Sequence, residues 1–160
     1  MGTRCLTVIE DCDGKEIAVL YRQFDGYIEH GHGDELKSFL RGKVLTNGFS
    51  MSDVEDSKSG KTTVANGPED LAAQLVAHFK GSSPIGGIYL YAAGTRDIGE
   101  EFIYHVRPSH SWNGMEGRGR IVCVVEWIHD YEEIKTEDGK TEHKRIWKRK
   151  TLCGWPDRRG

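Results

Sequence analysis

Apolar positions along this chain fall into short runs, and their spacing changes character several times. Residues 3–10 set Leu6, Val8 and Ile9 beside Thr3 and Thr7, and residues 16–22 put Ile17, Val19 and Tyr21 on one face. Alternating, β-rich runs of this length predict strands. Asp11-Cys12-Asp13-Gly14-Lys15 joins the two. An Asp-Gly step there predicts a hairpin, because glycine accepts the positive φ of the turn. Leu36, Phe39 and Leu40 then recur at helical spacing. They predict a short helix over 35–41, capped by Asp34 and ended by Gly42. A second helix is predicted from Pro68, with Leu71, Leu75, Val76 and Phe79 as its stripe and Gly81 after its end. Strand-like runs follow at 87–92, 101–106 and 120–128, and Asp138-Gly139 predicts a last hairpin returning through Ile146 and Trp147.

Two strands before any helix, then strands in series, do not alternate as βαβ units do. The expected fold is α+β, a largely antiparallel sheet with two helices packed on one side. Residues 46–67 are polar and rich in Ser, Asp, Gly and Lys, which predicts a mobile loop. The 160 residues fit one domain, 1–160, able to bury roughly 70% of its unfolded surface.

No apolar run approaches the roughly 20 residues of a membrane span. Glu10 and Asp11 follow the only early apolar run, so no signal pattern is read and the expected location is the cytoplasm, without a membrane partner. Cys5, Cys12, Cys123 and Cys153 form no C-x-x-C pair. Reduced thiols are expected, and no metal site or cofactor.

The net charge is −3, but unevenly spread. Residues 143–160 form a basic segment with Lys144, Arg145, Lys148, Arg149, Lys150, Arg158 and Arg159 against Asp157 alone. Such a segment can attract phosphates, although a solvated edge strand guarded by cations explains it as well.

Ser59-Gly60-Lys61-Thr62 imitates the end of a phosphate-binding loop, but Glu55 stands where that motif begins with glycine. Arg22-Gln23-Phe24-Asp25-Gly26-Tyr27 with His30-Gly31-His32-Gly33 carries more. A glycine-rich entry to a helix offers free N–H groups to an anion. Arg22 can fork onto a phosphate. Asp25 and Gln23 can meet hydroxyls or base edges, and Phe24 and Tyr27 can stack on a flat ring. His30 and His32 can donate to an anion or exchange a proton near neutral pH. The bland alternative is a turn whose polar groups satisfy its own backbone. His30 and His32 could also be half of a metal site with Asp97, His105 or His110, but two histidines in a polar loop are more often metal-free.

The opening Met1-Gly2-Thr3-Arg4, Gln23-Phe24-Asp25-Gly26-Tyr27 and Gly31-His32-Gly33 together resemble a group of short phage and microbial proteins. The resemblance covers roughly the first forty residues. Ile28 stands where the group has proline, and an extra residue lies around Glu29-His30. No single chemistry is settled for the group. A phage setting implies a protein acting in the host cytoplasm against defence signalling. The leading expectation is capture of a phosphate-bearing, nucleotide-like signal by Arg22, Gln23, Phe24, Asp25, Tyr27, His30 and His32, in a possible homo-oligomer and without long nucleic acid. One alternative is a metal-independent phosphodiesterase using His32 or His30 as acid or base. Another is a host-takeover factor that binds protein and no small ligand.

Overall fold

A computed structural model describes residues 2–58, 63–81 and 83–154. Strands β1 (Cys5–Glu10) and β2 (Glu16–Arg22) form the expected hairpin. Its turn is held by the Asp11 carboxylate, which accepts from the backbone N–H groups of Asp13 and Lys15. Helix α1 (His32–Leu40) follows, starting three residues earlier than the apolar spacing suggests.

β3 (Val44–Leu45) lies just before the segment expected as a loop, and that segment holds α2 (Met51–Lys58) and β4 (Val64–Ala65). β3 and β4 pair in parallel as a small second sheet. α2 buries none of its residues, so it adds a third helix without adding to the core. The expected loop's Ser59, Gly60, Lys61 and Thr62 lie outside the described residues, as do 155–160 of the basic segment.

Helix α3 (Gly67–Gly81) buries Leu71, Leu75 and Phe79 as its stripe predicts. Then come β5 (Ile88–Tyr91), β6 (Phe102–Pro108), β7 (Ile121–Lys135) and β8 (Thr141–Cys153). The main sheet runs β5-β2-β1-β6-β7-β8. Every pairing in it is antiparallel except β1 with β6. The α+β class therefore holds. The parallel pair arises because the chain, after the helices, returns to the sheet as β5 beside β2 and then crosses the β1–β2 hairpin to lie as β6 on the other side of β1.

β1 is buried on both faces. Cys5 and Ile9 pack with Leu36, Leu40, Leu71, Leu75 and Phe79 under the helices. Leu6 and Val8 pack on the other face with Val19, Tyr21, Ile103, Ile98 and Trp147. A strand covered twice needs apolar residues at nearly every position, which explains its dense run. The β7–β8 hairpin continues past the sheet as a ribbon. From His129 to Lys135 β7 is exposed throughout. No helix among the described residues is long and apolar enough to cross a membrane.

Candidate functional site

Residues 22–35 fold into a self-satisfied loop rather than an open cradle. Arg22 ends β2, with its side chain only 15% exposed. Its Nε donates to the Phe24 carbonyl at 2.7 Å, and its Nη1 donates to the Glu35 carboxylate. Nη1 also lies 3.3 Å from His32 Nδ1, and Nη2 lies 4.0 Å from Asp25. Two carboxylates thus flank the guanidinium that was expected to meet a phosphate.

The helix entry is likewise occupied. The N–H groups of His32, Gly33 and Asp34 donate to the carbonyls of Asp25, Tyr27 and Ile28 at 2.7, 3.2 and 2.9 Å. The expectation of free N–H groups for an anion is therefore corrected. The loop has doubled back over the helix end and taken those donors itself. Glycine permits this approach: a Cβ at Gly33 would lie 2.5 Å from the Ile28 carbonyl oxygen. Asp34 does not cap forward as expected. Its carboxylate accepts from the backbone N–H of His30 at 2.8 Å.

His32 is corrected as a ligand contact. It is fully buried, stacked 4.4 Å from Phe79 and 4.9 Å from Tyr104. Its Nε2 lies 2.7 Å from Thr7 Oγ1. Arg22 can only donate, so Nδ1 accepts and the proton sits on Nε2. Burial, then the Arg22 and His78 charges, pull its pKa down to about 3.

The remaining predicted residues scatter. Phe24 and Asp25 line a cavity of about 210 Å³ with Arg22, Glu35 and Phe79. Gln23 accepts from the Tyr21 hydroxyl at 2.6 Å, and the Tyr27 hydroxyl donates to Asp25 at 3.0 Å. That bond raises the Tyr27 phenol above its usual pKa. His30, with φ +58, turns away to a different face.

On that face His30 lines a cavity of about 450 Å³ with Glu29, Asp34, Lys37, Lys150 and Thr151, where two carboxylates stand against two ammonium groups. Lys37 also lines an adjoining cavity of about 390 Å³ with Arg41, Lys43, Arg120 and Cys153, and among the described residues no carboxylate lines it. Lys43 is 5% exposed and donates to Gln74 at 2.6 Å above the Phe39 ring. Burial lowers its pKa to about 8, which leaves most of its charge at neutral pH. By contrast, the cavity between α2 and α3 presents Asp53 and Asp70.

The sequence reading missed Lys37, Arg41, Lys43 and Arg120 as a group. One signal was available: Lys37 and Arg41 stand four apart, on one face of the predicted helix. Lys150 belongs to the basic segment whose phosphate reading was set against an edge-strand reading. Among the described residues no group of three or more His, Cys, Asp or Glu side chains could hold a metal ion. Compared with protein-family models, curated proteins and solved structures, the chain matches none of them.

Proposed function

We propose that the protein binds a small phosphate-bearing ligand in the groove between α1 and the C-terminal end of β8. The observation that carries this reading is the cavity lined by Lys37, Arg41, Lys43 and Arg120, which shares Lys37 with a neighbouring cavity of mixed charge where Lys150 and His30 stand with Glu29 and Asp34. Converging cations in a concave, partly desolvated site attract phosphate more strongly than the same charges spread over a surface. The ligand class expected from the sequence is kept, and the site moves from Arg22, which is held between Glu35 and Asp25.

Capture is favoured over cleavage. His32, the preferred acid or base of the hydrolase reading, has no exposed surface and both ring nitrogens engaged. General acid–base catalysis needs the group within reach of the proton it moves. The finer proposal, a nucleotide-like signal of host defence held out of circulation in the host cytoplasm, rests on the phage-type resemblance of the first forty residues.

The test is calorimetric titration with cyclic dinucleotides, cyclic trinucleotides, ADP-ribose derivatives and inorganic phosphate. Binding that weakens with salt and is lost in Lys37→Glu and Arg41→Glu, but kept in Asp25→Ala, supports the groove. Binding lost in Asp25→Ala and kept in the other two returns the site to the Arg22 cavity. Intact ligand recovered after heating supports capture. Linear product exceeding one per protein, and lost in His30→Ala, makes the protein a phosphodiesterase. No binding to any of these leaves the protein-binding reading.

A further inference from the structure

Cys123 and Cys153 stand directly opposite one another across β7 and β8. Opposed residues of an antiparallel pair have Cα atoms roughly 4.5–5.5 Å apart. That falls inside the span a disulfide bridges, about 4.4–6.8 Å. Both thiols are free. The end of β8 is pressed onto β7 just beyond them: Gly154 has φ +88, and a Cβ there would lie 2.5 Å from the Ile121 carbonyl oxygen.

The two sulfurs differ in access. Cys123 has no exposed surface, whereas Cys153 is partly exposed and lines the cavity with Lys37, Arg41, Lys43 and Arg120. The Cys123 thiol hydrogen-bonds to the Cys153 sulfur, and this bond together with the Lys37 charge lowers the Cys153 pKa against the opposing effect of burial. Cys12 is also partly exposed, yet burial and the charges of Asp11 and Asp13 raise its pKa. A thiolate, not a thiol, attacks disulfides.

We propose that Cys153 and Cys123 form a paired-thiol modification site that reacts with negatively charged small disulfides entering from the basic cavity. The Cys153 thiolate attacks one sulfur of the incoming disulfide, forming a mixed disulfide and releasing one thiolate. Cys123 then attacks the Cys153 sulfur. The Cys123–Cys153 bond forms, and the second thiol leaves with the Cys123 proton. The incoming disulfide is reduced to two thiols and the protein pair is oxidised. The product ties the end of β8 to β7 and removes a nucleophile from the cavity. This chemistry does not require that the groove be a phosphate site, although a ligand bound there would compete with the incoming disulfide.

The experiment incubates the reduced full chain near pH 7 with glutathione disulfide, which is anionic, or with cystamine, which is cationic. The reaction is quenched with acid and the cysteines are mapped by peptide mass spectrometry. Wild type is expected to yield the Cys123–Cys153 bond, and Cys123→Ser to hold the mixed disulfide on Cys153. Cys153→Ser should yield neither product at these positions. Lys37→Glu, an exposed change, should shift the preference for glutathione disulfide over cystamine by about tenfold toward cystamine. Cys123→Ala repeats the trapping arm should the serine variant fold poorly. Preferential modification of Cys12 overturns the proposal. So does a Cys153 mixed disulfide that wild type never resolves onto Cys123, or a Lys37→Glu variant with unchanged preference.

Discussion

The Nε2 atom of His32 lies 2.7 Å from the Thr7 hydroxyl, joining the first turn of α1 to the central strand β1 inside the core. A histidine in that position is a neutral structural group. Its folded pKa, about 3, is well below its ordinary 6.5. The unfolded chain therefore binds more protons between those values, and stability rises with pH across that window. The contribution is complete above pH 6.5 and is lost as the pH falls toward 3. Near pH 4.5 the loss is about 2–3 kcal/mol. His78 and His105 also have lowered pKa values, so the measured quantity is a difference between variants. Denaturant unfolding of wild type and His32→Gln at both pH values is expected to show wild type losing more stability on acidification. Parallel losses would remove His32 as the source.

Arg22 and Glu35 pair across the loop, with the Arg22 side chain 15% exposed and that of Glu35 50% exposed. A half-exposed carboxylate is partly screened by water, so the coupling in a double-mutant cycle of Arg22→Ala and Glu35→Ala is expected at about 1 kcal/mol or less. Arg22→Ala alone is expected to cost more, about 2 kcal/mol, because the Phe24 carbonyl and His32 Nδ1 also lose their donor. Chemical denaturation measures both. A single variant no less stable than wild type would mean that the guanidinium does not organise this loop.

Much of the frame was legible because local chemistry settles it. The Asp-Gly turns at Gly14 and Gly139 have φ +79 and +81, as hairpins with positive-φ glycine require. The α3 stripe reports its own buried face. The parallel β1–β6 pairing was not legible, since it depends on how the chain returns after α3. β3 and β4, two residues each, are too short to leave a period. The loop of residues 22–35 was correctly marked as dense in polar groups. Those groups largely satisfy one another: Asp25 takes the Tyr27 hydroxyl, Gln23 takes the Tyr21 hydroxyl and Glu35 takes Arg22. The basic groove escaped notice because it is assembled from α1, residue 120 and the end of β8, which only the fold brings together.

α2 buries none of its residues and is held at its start by Ser50 and Asp53, which cap one another. A helix without a buried face relies on local propensity and capping alone. Its amides are expected to exchange with deuterium on the order of a hundredfold faster than those of the buried positions of α1 and α3. Hydrogen-exchange mass spectrometry resolves the three segments. Protection of Met51–Lys58 equal to that of α3 would show that α2 is docked, and a ligand-induced rise in protection would bring the α2–α3 cavity into the binding question.

The ribbon beyond the sheet provides the last prediction. Past Ile128, β7 has only β8 as a strand neighbour among the described residues, and Tyr131, Ile134 and Ile146 are 56, 40 and 39% exposed. Its cross-strand pairs, Glu132 with Lys144 and Glu133 with His143, face water, where such pairs contribute little. The base differs. Trp147 packs with Leu6, Val8, Val19 and Ile103, and Arg145 donates to Asp97 at 2.5 Å. Replacing residues 132–144 by Asn-Gly would close the ribbon directly above the Tyr131–Arg145 pair with a two-residue turn that suits the strand twist. The melting temperature is expected to change by no more than about 3 °C, since little apolar area is lost. Trp147→Ala, which opens the face under the ribbon's base, is expected to cost about 2–3 kcal/mol. Scanning calorimetry separates the two. If the shortened chain melts as early as Trp147→Ala, the ribbon belongs to the folding unit. If it melts with wild type, the chain keeps a two-stranded arm that folding does not require, and pull-down with the shortened chain as the control then asks what the arm touches.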